Sequence, residues 1–215
     1  MTHSIIFLDD VLNYIWKKST HMSLEGSTLE VRRAFGFLFI GVSVAVAVAA
    51  VLSEIAFTQK VPIYYYGIIW IASFGITFGA SIRKLRKIIP SIRSRMKNSI
   101  RWSVGAKTIN GLCWAGPFVA IGAFPSLLQY LILLGIGLGN LSTYILMKKY
   151  SGLDNKEQLI VGLISLLSIP AAIGIDTALF ATHQDIAIML SRILISISYA
   201  VGGVYALFAK DTMVP

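Results

Sequence analysis

Charge is scarce in this chain. Asp, Glu, Lys and Arg make up only 13% of its 215 residues, against roughly 25% in soluble domains. Hydrophobic residues reach 56% and mean hydropathy is +0.74. So much apolar surface cannot be hidden in a soluble fold of this size, so most of it must face lipid or other buried helices. Acidic residues are rarer still, ten against nineteen Lys+Arg, for a net charge of +9. Cysteine occurs once, Cys113, which excludes an intrachain disulfide.

Catalytic constellations are missing as well. His3, His21 and His183 fall in separate segments and form no i, i+4 pair, and one cysteine cannot complete a zinc site with them. There is no Gly-x-Ser-x-Gly elbow, no Walker loop and no His-Glu-x-x-His. Acidic pairs that would hold a metal within the apolar stretches are absent. Gly135-Ile136-Gly137-Leu138-Gly139 is only superficially like a dinucleotide fingerprint, because it follows no strand. No catalytic residue, metal or cofactor is expected.

What the chain does have is long uncharged runs. Met1 to Ser4 lack a basic stretch and the apolar run 5–8 stops at Asp9-Asp10, which does not make a signal peptide. Residues 4–18 pattern as an amphipathic helix: Ile5, Leu8, Leu12 and Ile15 oppose Asp9, Asp10, Asn13 and Lys17. Residues 1–26 are read as a cytoplasmic amphipathic segment. Ser27 and Glu30 then match a capping box that opens the first helix. From there, residues 27–210 read as an all-α bundle of six transmembrane helices in three hairpins. The spans lie at about 34–53, 61–82, 106–124, 126–147, 158–180 and 186–209. Twenty residues at about 1.5 Å each match the roughly 30 Å hydrocarbon core. Glu54 to Lys60 reads as a polar loop, and Pro125 as the turn between the third and fourth spans.

Residues 83–107 form a basic loop with no acidic residue. Ile82, Leu85, Ile89, Ile92, Met96 and Ile100 recur at helical spacing, and Pro90 is expected to kink or divide the helix. Its cations Arg83, Lys84, Arg86, Lys87, Arg93, Arg95, Lys97 and Arg101 suit anionic lipid headgroups, not nucleic acid, because the block lies between apolar spans. If both termini are cytoplasmic, seventeen of the nineteen Lys+Arg fall inside, and only Lys60 and Arg192 do not. That fits the positive-inside rule for a multi-pass protein of the plasma membrane. A re-entrant 106–147 hairpin would keep the same charges inside. The forty uncharged residues 108–147 are long enough for two full crossings.

Three features could carry function. Small residues recur at four-residue spacing (Gly75/Gly79, Gly111/Ala115, Gly116/Ala120, Gly135/Gly139, Ser198/Gly202), which permits close packing within the chain or against a membrane-protein partner or second copy. Pro117 and Pro170 lie mid-span and each frees a carbonyl one turn earlier, at Cys113 and Leu166. Glu54, Asp176, Asp185 and Arg192 cluster towards the outer ends. Arg192 either faces Asp176 or Glu54 in a polar vestibule or snorkels to headgroups beside Asp185. The chain reads first as a non-catalytic membrane subunit or scaffold, with a small-solute transporter or channel as the alternative.

Overall fold

The computed structural model describes residues 32–62, 64–99, 102–151, 154–179 and 182–208, without the side chains of 81, 83–85, 87–88, 91–99, 151 and 185. The expected interfacial helix 4–18, the capping box at Ser27 and Glu30, and Arg101 lie outside these residues. Six helices follow in chain order. They are α1 (Arg32–Thr58), α2 (Tyr64–Ser99), α3 (Val104–Ala123), α4 (Leu128–Ser151), α5 (Lys156–Leu179) and α6 (Gln184–Phe208).

Local chemistry sets their ends. α1 stops in a Schellman turn: Val61 N–H donates to the Ala56 carbonyl at 2.9 Å and Lys60 N–H to Phe57 at 2.9 Å, with Lys60 in the left-handed region at φ 53°. Ser103 caps α3, its hydroxyl accepting the Ala106 N–H at 3.2 Å. Between α3 and α4 a single 3₁₀ turn, Pro125–Leu127, forms where Pro125 has no N–H with which to continue α3. Asp154 clasps the start of α5, accepting the Tyr144 hydroxyl at 2.9 Å with Lys148 and Lys156 at 3.8 and 3.6 Å.

Neighbouring helices run antiparallel. α3 pairs with α4 (Trp114 with Thr143, Asn110 with Ser142). α4 pairs with α5, where a Cβ on Gly162 would come 3.0 Å from the Gly137 carbonyl. α6 lies beside α5, and α1 beside α6: Gly36 and Gly203 approach so closely that a Cβ on either would sit 3.0 Å from the other's carbonyl oxygen. Ser43 and Ser196 hydroxyls meet at 3.0 Å further along that seam. α2 leans on α1, with Phe78 and Thr77 over Gly41. The shared core comes from Phe39 and Val46 of α1, Leu133 and Ile136 of α4, Val161 and Ala172 of α5, and Ile195 of α6. α2 and α3, consecutive in the chain, lie on separate flanks of this core.

Four helices are long and apolar enough to cross a membrane: α1, Pro125–Tyr150, α5 and Ile186–Phe208. They are also the four that supply the core. α2 and α3 fall outside this set among the described residues. The first opens with three tyrosines and ends in its basic half, and the second carries Lys107, Asn110 and Pro117. Two sequence expectations change. Residues 54–58 belong to α1, not to a loop, because the apolar face continues through Ala56. Pro90 does not divide α2, which runs unbroken for 36 residues. Proline removes one backbone hydrogen bond, and the turns on either side of it hold the helix together. The basic stretch as far as Ser99 is therefore the second half of a helix about 54 Å long, and Lys107 belongs to α3.

Candidate functional site

The described residues 59–62, 124–127 and 182–183, between α1 and α2, α3 and α4, and α5 and α6, lie at one end of the bundle, called the hairpin end below. At this hairpin end α1, α2 and α6 enclose a cleft of about 160 Å³ lined by Ser53, Glu54, Phe57, Tyr66, Gln184, Ile188 and Arg192. Spacing explains the lining. Ser53 and Phe57 are one turn apart on α1, and Gln184, Ile188 and Arg192 recur every fourth residue along one stripe of α6. Arg192 lies about 12 Å along α6 from Gln184. Its guanidinium sits 5.9 Å from the ring centre of Trp70, within cation–π range. Ser53 is 1% exposed, and its hydroxyl has no hydrogen-bond partner among the described residues.

Asp176 belongs to a different group. Its Oδ2 accepts hydrogen bonds from Gln129 Nε2 and the Tyr130 hydroxyl, so α4 engages it, while Arg192 shares the cleft with Glu54 and lies by Trp70. The cluster of four outer residues thus divides into Glu54 with Arg192, and Asp176 with α4. The Asp185 side chain lies outside the described residues. Pro117 and Pro170 both sit inside continuous helices, Pro117 buried in α3 and Pro170 exposed on α5. Of the basic stretch, Arg86 is exposed on α2. The side chains of Arg83, Lys84, Lys87, Arg93, Arg95 and Lys97 lie outside the described residues. Among the described residues, no group of three His, Cys, Asp or Glu could hold a metal ion.

Two polar groupings escaped the sequence reading. At the end opposite the hairpins, Glu157 is 2% exposed and its Oε2 lies 3.5 Å from Arg32 Nε. Arg32 also stacks over Tyr205 at 5.0 Å, so one ion pair joins α1, α5 and α6. The acidic start of α5 was visible, but nothing in one sequence says which arginine meets it. Between α3 and α4, Asn110 Oδ1 accepts from Ser142 at 2.8 Å and Thr143 at 2.9 Å, and Trp114 Nε1 donates to Thr143 at 3.1 Å. Asn110 was the signal for this one, an amide within an otherwise apolar helix.

The small-residue positions also separate. Gly135 and Gly139 of α4 pack under Phe118 and Trp114 of α3, and Gly202 of α6 lies against Val161. By contrast, a Cβ on Gly67, Gly75 or Gly79 of α2, or on Gly105, Gly111, Gly116 or Gly122 of α3, would meet nothing within 4 Å among the described residues. Large apolar side chains share these open surfaces, among them Ile71 (76% exposed) on α2 and Val119 (75% exposed) on α3. The chain matches no family model, no curated protein and no solved structure.

Proposed function

We propose that this chain is a non-catalytic membrane subunit or scaffold, and that its α2 or α3 face receives a further membrane helix or a second copy of the chain. The observation that carries the reading is the contrast among its glycines. Those of α1, α4 and α6 and Gly162 of α5 are filled by neighbouring helices, while every described glycine of α2 and α3, like Gly174 alone outside them, faces open space among the described residues. In lipid there is no hydrophobic drive between helices, so close backbone approach across small residues is a principal means of association.

In this reading all six helices cross the plasma membrane, with both termini in the cytoplasm. Support comes from the charges. Arg32, Arg33, Lys107, Lys148, Lys149 and Lys156 all lie at the end opposite the hairpins, where the basic half of α2 also extends, as the positive-inside rule requires of the cytoplasmic side. Arg83, Lys84, Arg86, Lys87, Arg93, Arg95, Lys97 and Arg101 would there meet anionic headgroups.

Leucine substitution tests the reading. Gly75→Leu with Gly79→Leu leaves the fold intact, because nothing among the described residues occupies that space, and it reduces the particle purified in mild detergent from a complex to a single chain. Gly203→Leu, which collides with the Gly36 backbone, lowers the thermal midpoint of the chain itself. A wild-type particle with the mass of one chain, unchanged by substitution on either α2 or α3 (Gly111→Leu, Gly116→Leu), overturns the proposal.

A further inference from the structure

We propose that the cleft between α1, α2 and α6 binds a small zwitterionic group, its anion on Arg192 and its ammonium on Glu54. The argument begins with the charges that line it. A guanidinium presents a planar fork of N–H donors that matches a carboxylate or phosphate in two bonds. Trp70 lies within cation–π range of that guanidinium and holds it at the cleft. Glu54 supplies the complementary acceptor in the same cleft. A monoanion would compete with Glu54 for Arg192, and a monocation would compete with Arg192 for Glu54. A group carrying both charges engages the two at once and brings no net charge into the cleft.

The second observation is Ser53. A hydroxyl 1% exposed, with no hydrogen-bond partner among the described residues, lines this cleft beside Glu54. Leaving such a group unsatisfied is unfavourable, and a ligand oxygen or ammonium would supply the missing bond. Phe57 and Ile188 provide an apolar wall for a short carbon skeleton. About 160 Å³ accommodates a few non-hydrogen atoms, so the occupant is a small free solute such as a short amino acid, or the zwitterionic headgroup of a lipid. That the cleft opens to the outside rests on the topology proposed above. The binding itself does not.

Thermal unfolding of the purified full chain in detergent tests the idea, with alanine, propionate and propylamine as probes. The same chain in nanodiscs of phosphatidylethanolamine or phosphatidylglycerol gives the lipid arm. A free zwitterion as occupant predicts that alanine stabilises the chain at concentrations at least about tenfold lower than either single-charge probe. A headgroup as occupant predicts a higher midpoint in phosphatidylethanolamine. In either case Arg192→Gln and Glu54→Gln each abolish the preference, and Ser53→Ala weakens it several-fold. Should Arg192→Gln fail to fold, Glu54→Gln and Ser53→Ala read the same site. An equal response to all three probes with no lipid preference overturns the proposal, as does a preference that survives Glu54→Gln and Ser53→Ala.

Discussion

Glu157 lies at the first turn of α5 with 2% of its surface exposed, and its nearest cation is Arg32 at 3.5 Å. Burying a carboxylate removes hydration worth several kcal/mol, which a single ion pair offsets only in part. The helix N-terminus contributes a little more, since its free N–H groups favour negative charge. Arg32 is itself divided between Glu157 and the ring of Tyr205. The pair is therefore weak as a net source of stability and strong as a constraint, because neither member tolerates loss of the other. Arg32→Met or Glu157→Met alone should each destabilise the chain by roughly 3 kcal/mol, read as a fall in the thermal midpoint in detergent. The double substitution should recover most of that loss, since it removes both charges and keeps the volume. Single-site effects near zero, or a double variant as unstable as the two singles summed, would show that the ion pair does not hold α1 to α5.

At the level of helices, what the sequence made legible was length and what it hid was neighbourhood. Apolar spans of about twenty residues, with no more than one charge each, announce α1, α4, α5 and α6 because a helix satisfies all of its backbone groups within the span, and Pro125 announced its turn. The continuity of α2 past Pro90 could not be read, because a proline costs one hydrogen bond whether or not the helix survives it. Nor could glycine spacing be interpreted alone. Gly75/Gly79 and Gly135/Gly139 have the same four-residue interval, yet the first pair faces open space and the second lies under aromatic rings of α3. The likeness of letters says that a close approach is permitted, not who makes it. The site shows the same division: Glu54 and Arg192 were recognisable as ionisable residues near helix ends, whereas the attachment of Asp176 to Gln129 and Tyr130 depends on the α4–α5 register. Asn110 allows a prediction at this scale. Ser142 and Thr143, which donate to it, also reach the Gly139 carbonyl at 3.1 and 2.7 Å, so neither hydroxyl is orphaned when the amide is removed. Asn110→Val should then cost only about 1 kcal/mol, within the modest range of interhelical hydrogen bonds in membranes. A loss of 3 kcal/mol or more in chemical unfolding would mean that the amide organises the whole α3–α4 seam.

For the molecule as a whole, the deciding quantity is which ends of the bundle lie on which side of a membrane. Charge is distributed between the two ends very unevenly, with Lys60 the one cation in the described hairpin connections and the basic half of α2 extending from the other end. α3 is the helix on which topology turns. It is 20 residues long, enough by length for a full crossing at about 1.5 Å per residue, but Lys107 and Asn110 dilute its apolar character near one end. Lys107 is in the first turn of α3, where a long side chain can reach the headgroups. The crossing is therefore affordable, and Pro125–Leu127 should emerge on the outer face. With Cys113→Ser as background, a membrane-impermeant thiol reagent applied to intact cells should label Ser126→Cys, an exposed position in that turn, as fully as Thr58→Cys at the end of α1. Tyr150→Cys, at the far end of α4, should be labelled only after the membrane is opened. If Ser126→Cys stays unlabelled while Thr58→Cys reacts, α3 and α4 dip and return from one side. If Tyr150→Cys reacts on intact cells, the orientation is reversed, and the cationic end cannot be the one that faces the anionic inner leaflet.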